Sequence, residues 1–209
     1  MIYLTLELLR LDLLQQKCLV KSESLLAFVR LTKIIPLKIS RHNLDNIQSI
    51  KVRLSNHATF ASLQWDIKSN RNISWKNLFS EIISFNEYNF IHLNHNSFSL
   101  MGSHGPYSIN NVNDKSYDLI DSEFFYSSLN SILEKDHWLQ PPIDNSKVSI
   151  LLHRAKDLSN SASDIYMLNS SFYKPTQPYD HEWSHAFIEY YEYFVITPNK
   201  VFVWSLVYE

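Results

Sequence analysis

The sequence predicts an α+β chain, with mixed helices and short antiparallel strands set in two small lobes from which loops protrude to dock a partner. Three observations carry that prediction. Helical apolar spacing and strand-like alternation take turns along the chain instead of segregating into one block. A polar stretch near the middle, Asn110-Asn111-Val112-Asn113-Asp114-Lys115-Ser116, divides an N-terminal lobe (1–115) from a C-terminal lobe (116–209). The only two glycines in 209 residues, Gly102 and Gly105, stand three apart in one loop, just before Pro106. Glycine supplies positive φ and proline fixes φ, so that loop is shaped and stiff. Met101 and Tyr107 flank it as the anchors of a docking surface over about residues 98–110.

Taken in order, Leu4, Leu8 and Leu11 make the stripe of a first helix reaching about residue 17, with Glu7 and Arg10 on its wet side. Residues 24–39 are apolar and β-branched, and Pro36 argues against a continuous helix there. Ile50-Lys51-Val52-Arg53-Leu54 alternates as a strand does, and Thr59 to Ile67 forms a second extended stretch. Ser74 offers a cap for a helix through Trp75, Leu78, Ile82 and Ile83. Strands follow at 89–93 and 97–101. Asp121 caps a helix carrying Phe124, Phe125, Leu129, Ile132 and Leu133 toward Trp138, closed by Pro141-Pro142. Lys147 to His153 reads as a buried strand. Residues 185–196 are open to either assignment by periodicity, since Tyr190-Tyr191-Glu192-Tyr193-Phe194-Val195 favours strand by propensity while Asp180 could cap a helix.

Composition narrows the function. Hydrophobic content of 45% against 19% charged residues suits a packed core, and a formal net charge of −2 gives no electrostatic footprint for nucleic acid or an anionic membrane. Protein partners are expected. The aromatic content of 14%, with 12 Tyr and 12 Phe, is generous for core and interface alike. Cys18 is the single cysteine, which excludes an intramolecular disulfide and suggests a reducing compartment. The leucine-rich start carries Glu7, Arg10 and Asp12, unlike a signal peptide or a membrane span, so a cytoplasmic protein without direct membrane insertion is expected.

The catalytic patterns are few. His181-Glu182-Trp183-Ser184-His185 is an H-E-x-x-H, which on a helix would present two zinc ligands one turn apart with Glu182 polarising a bound water. A zinc hydrolase needs a third ligand, and Glu189 or Glu192 on the same short element reaches it only with difficulty. His92, His95 and His104 fall close together in sequence, but strand geometry does not make them converge. Two glycines cannot write a phosphate-binding loop. The expectation is no enzyme, no cofactor and no metal.

Three stretches carry a family resemblance. Phe98-Ser99-Leu100-Met101-Gly102-Ser103-His104-Gly105-Pro106-Tyr107-Ser108 is similar to the L-G-L-x-G-P-x-G-P-L-P segment of TssG, a baseplate wedge protein of type VI secretion systems, with Leu100, Gly102, Gly105 and Pro106 matching. The run from Val52 to Ile67 resembles the family's V-R-F-R-x-x-P-S-L-A-F-P-x-x-E-I, keeping Val52, Arg53, Ala61 and Ile67. The aromatic helix after Asp121 and the ending Phe202 to Tyr208 resemble the family's later helix and closing strand. Ser103 and Ser108 stand where the family has prolines.

The resemblance, over about residues 50–209, implies a non-enzymatic subunit bridging TssF-like and TssK-like proteins, with a TssE-like protein as a further partner. It implies one docking loop at Met101, Gly102, Gly105, Pro106 and Tyr107, and a second over about 168–180 presenting Phe172, Tyr173, Pro175 and Pro178. It also implies a helix at 185–196, then a turn at Thr197-Pro198-Asn199-Lys200 and a strand. The alternative from another class is a toxin-immunity-type intracellular inhibitor, which would be equally aromatic and free of catalytic motifs.

Overall fold

The computed structural model describes residues 43–68, 73–89, 102–134, 143–169 and 184–209, all within one compact unit spanning His42–Glu209. The expected N-terminal helix, the extended segment 24–39, the strands at 89–93 and 97–101 apart from Asn89, and nearly all of the second docking loop lie outside the described residues. What is described is α+β. A six-stranded antiparallel sheet runs in the order β1-β2-β8-β7-β6-β5. Its strands are β1 (Leu44–Arg53), β2 (Ala58–Ile67), β5 (Tyr117–Ile120), β6 (Asp164–Leu168), β7 (Glu189–Ile196) and β8 (Lys200–Tyr208). The helices are α1 (Trp75–Ile82), α2 (Ser122–Glu134) and α3 (Asn145–Ser161), and a small hairpin pairs β3 (Ser103–His104) with β4 (Tyr107–Ser108).

The sheet's pleat sorts the core into two. Strands alternate side chains between faces, so Leu63 and Trp65 of β2 share one face with Val203 of β8 and Phe194 of β7, under Leu78, Phe79 and Ile82 of α1. The opposite face carries Phe60, Trp204, Leu206 and Tyr193 beneath Phe125 and Leu129 of α2 and Leu151 and Ala155 of α3. Phe125 sets its ring edge-on to Tyr193 at 5.1 Å between centroids, and Phe60 does the same to Trp204, also at 5.1 Å. Two helix starts follow the expected caps, Ser74 accepting from the Asn77 amide and Asp121 from Phe124 at 2.7 Å, and a further cap, Asp144, accepts from Ser146 at 2.9 Å.

Three expectations are corrected. The division at 115/116 does not exist, because β2 pairs along its length with β8, from Ala58↔Tyr208 to Asp66↔Lys200, joining both halves in one sheet. The polar stretch meant to separate lobes instead folds as 3₁₀ turns with its own cap at Asn113, and the Trp75 indole donates to the Asp114 carbonyl at 2.9 Å. Lys147 to His153 is helix, part of α3; Val148, Leu151, Leu152, Ala155 and Leu158 fall at three- and four-residue spacing and contribute to the second core. Residues 189–196 are the strand β7 and not a helix, in keeping with their aromatic and β-branched composition. The turn at Thr197 is present, with the Lys200 amide donating to Thr197 Oγ1 at 3.1 Å.

Neighbours Phe124 and Phe125 separate burial from mere apolarity. Phe125 is fully enclosed, whereas Phe124 is 50% exposed. Phe125→Ala is expected to lose about 3–5 kcal/mol in urea unfolding, and Phe124→Ala to stay within about 0.5 kcal/mol of the parent.

Candidate functional site

The glycine loop is a hairpin folded inward. Gly105 and Pro106 form its two-residue turn, with Gly105 at φ +52°, the first central position that takes glycine in a type II′ turn. The Ile109 amide closes the base on the Gly102 carbonyl at 2.8 Å, and Ser184 Oγ donates to the Pro106 carbonyl at 2.7 Å. Against the expectation of a protruding anchor, Gly105, Pro106 and Tyr107 are buried, and the Tyr107 ring meets Tyr190 edge-on at 5.7 Å. The reason is steric: a Cβ on Gly105 would lie 2.5 Å from Tyr190 Cε2, so the glycine makes room for an interior ring rather than for a partner. Gly102, with φ +88°, is exposed and has open space where a Cβ would stand.

The hairpin delivers His104 into the sheet. Its ring is stacked on Tyr88 at 3.7 Å, Nδ1 donates to the Tyr88 carbonyl at 2.5 Å, and Nε2 meets Glu192 Oε2 at 2.5 Å. Glu192 sits on β7 between Tyr190 and Phe194 on the same face, with no exposed surface. Oε1 accepts from Tyr117 at 2.6 Å and from Tyr88 at 3.2 Å. Oε2 accepts from Tyr190 at 2.5 Å and from Ser205 Oγ at 3.0 Å, besides His104. Five donors thus converge on one carboxylate.

Burial by itself pushes the Glu192 carboxyl up. The His104 charge and the hydrogen bonds from His104, Tyr117 and Tyr190 outweigh it, and bring the group down to about 2. Both His104 nitrogens face acceptors, the geometry of an imidazolium paired with a carboxylate. Tyr88, Tyr117 and Tyr190 are pushed well above the ordinary phenol range, by burial first and by the Glu192 charge next. They therefore stay protonated and keep donating. Chemically this is a saturated ion pair: each partner is fixed, and His104 and Glu192 are 1% and 0% exposed. It holds a hairpin on a sheet.

The remaining expected site residues divide cleanly. Met101, Phe172, Tyr173, Pro175 and Pro178 lie outside the described residues, as do His92, His95, His181 and Glu182. His185 stands in a 3₁₀ turn, Ser184–Ala186, and not on the helix that an H-E-x-x-H zinc site requires. Among the described residues no three His, Cys, Asp or Glu side chains group as metal ligands. Glu192, weighed only as a distant zinc ligand, is the centre of the cluster. Its signal in the sequence was an acid placed in phase with Tyr190 and Phe194. Among the described residues no helix is long and apolar enough to cross a membrane. Comparison with protein-family models, with curated proteins and with solved structures finds no match to this chain.

Two outcomes follow from this geometry. Gly105→Ala is expected to lose about 3–5 kcal/mol, since the added methyl displaces Tyr190 from its bonds, while Gly102→Ala loses about 1–2 kcal/mol from its φ alone; equilibrium unfolding ranks the two. Because the folded Glu192 carboxyl lies below its unfolded value of 4.5, its contribution is complete above that pH and disappears as pH falls toward about 2. The contribution is of order 3 kcal/mol. Urea midpoints between pH 6 and pH 3 should fall in the parent, and flatten in a Glu192→Gln variant.

Proposed function

We propose that the chain is a non-enzymatic binding protein which presents a preorganised surface to one protein partner, in the manner of a toxin-neutralising inhibitor. The observation that carries this reading is the placement of the reactive side chains nearest the glycine loop, all among the described residues. His104, Glu192, three tyrosines and Ser205 share one sealed cluster, out of reach of a substrate, and their bonds stiffen the body around them. A body already rigid before binding loses little ordering entropy on association. That is the property a stoichiometric binder needs.

The order of the three motifs over residues 50–209 supports a second reading, a baseplate wedge subunit bridging TssF-like and TssK-like proteins. Under it, with Gly105, Pro106 and Tyr107 turned inward, the docking role falls to the second loop that the resemblance implies, over about residues 168–180.

The two readings separate on what the chain carries with it. The tagged full chain, recovered from cells that encode it, is expected to bring down one protein in a 1:1 complex by light scattering. Recovery of several secretion-baseplate proteins at fixed ratios transfers the assignment to the wedge. Turnover of any substrate by the folded full chain would overturn the non-enzymatic reading altogether, at the sealed cluster where Glu192→Gln abolishes it with folding intact and elsewhere where it survives.

A further inference from the structure

We propose that the groove between α3 and the open end of the sheet binds a small aromatic carboxylate. The second face of the sheet is covered by α2 and α3 over its middle strands, and toward β1 and β2 that cover ends. There the face-two positions of β2 change character, from Ala58 and Phe60 to Ser62 and Gln64. The open end forms a groove of about 370 Å³, a volume suited to a one- or two-ring molecule.

Its floor is two cross-strand rows set by register. Gln48 pairs with Gln64, and Gln64 with Phe202; one step along, Ile50 pairs with Ser62, and Ser62 with Trp204. Each row therefore grades from polar or exposed at the β1 side to aromatic at β8, and Ile50 stands 45% exposed at its rim. A flat ring laid against Phe202 and the Ile50 side chain removes that apolar surface from water, while the two glutamine amides offer donors along one edge.

The wall supplies the charge. Arg154 of α3 lines the groove, and its guanidinium makes no ion pair or hydrogen bond among the described residues. A planar guanidinium beside an aromatic floor suits a carboxylate held by two parallel bonds. Asp157, one turn along the same wall, is turned to His153 at 3.6 Å. It limits the ligand to one negative charge, since a dianion would meet a like charge, and this selects carboxylate over phosphate.

The test is a titration of the full chain with phenylacetate and indole-3-acetate, followed by side-chain amide and backbone NMR signals, with acetate and phenyl phosphate as comparison probes. Saturable shifts at Gln48, Gln64 and Phe202, stronger with the aromatic acids than with either comparison probe, are the expected result. Arg154→Ala lies on the surface and should keep the parent melting temperature while weakening binding about tenfold or more. Shifts that do not saturate, that scatter away from these rows, or that persist unchanged in Arg154→Ala overturn the proposal. Phenyl phosphate or plain acetate binding as well as phenylacetate overturns it too.

Discussion

A carboxylate with no exposed surface, held by five donors, is the constraint around which the described body is arranged. The donors come from far apart in the chain: Tyr88 after α1, His104 on the hairpin, Tyr117 on β5, Tyr190 on β7 and Ser205 on β8. Removing an isolated charge from water is severely unfavourable, and a buried pair recovers that loss only when every remaining valence is met. Here the condition is met at once by elements that sequence alone does not bring together. By the same arithmetic an apolar cluster of equal volume would be at least as stable. What the ion pair adds is discrimination: one placement of the hairpin satisfies it, and a shifted placement leaves a buried charge unpaired.

The neighbours of the pair are chosen by size as much as by polarity. Ser205 is directly across the strand pair from Glu192, and its small side chain leaves the depth that the carboxylate and the Tyr190 hydroxyl occupy. Gly105 does the same for the Tyr190 ring from the other side. Small residues at two points, a serine and a glycine, thus permit one tyrosine to span from the hairpin to the carboxylate. This is why a glycine is required at position 105. Phe194, next along the same face, returns the strand to apolar packing against Phe79 at 5.7 Å between centroids.

Much of the architecture was legible from residue pattern. Alternation in Ile50 to Arg53 and Thr59 to Ile67, and caps at Ser74 and Asp121, gave β1, β2, α1 and α2 because the deciding signals there are local. Val148-Ser149-Ile150-Leu151-Leu152 misled because five apolar-rich residues satisfy either period; only the longer window, extended to Ala155 and Leu158, distinguishes a helix. At 189–196 propensity was the better guide, and likeness to a family the worse one. The glycine loop shows a different limit. Two glycines before a proline announce a sharp bend, but whether the bend opens to a partner or to an interior ring depends on Tyr190, 85 positions after Gly105. Glu192 was hidden for the same reason, since four of its five donors, all but Tyr190, are distant in sequence.

One edge of the sheet, β1, carries a register shift between Asp45 and Gln48, with Asn46 at φ +50°, and its outer half bears Lys51 and Arg53. A bulge and charged side chains on an edge strand oppose the addition of a foreign strand. Strand addition is therefore opposed at the β1 edge. One face is closed by α1 and the hairpin that the ion pair pins in place. The other is covered by α2 and α3 over its middle strands, and is open near β1 and β2 and again beside β5 and β6. The buried charge, the inward glycine and the blunted β1 edge thus leave the open end of the second face as one part of the described sheet whose side chains stay accessible, together with the exposed Leu119 on the opposite edge strand.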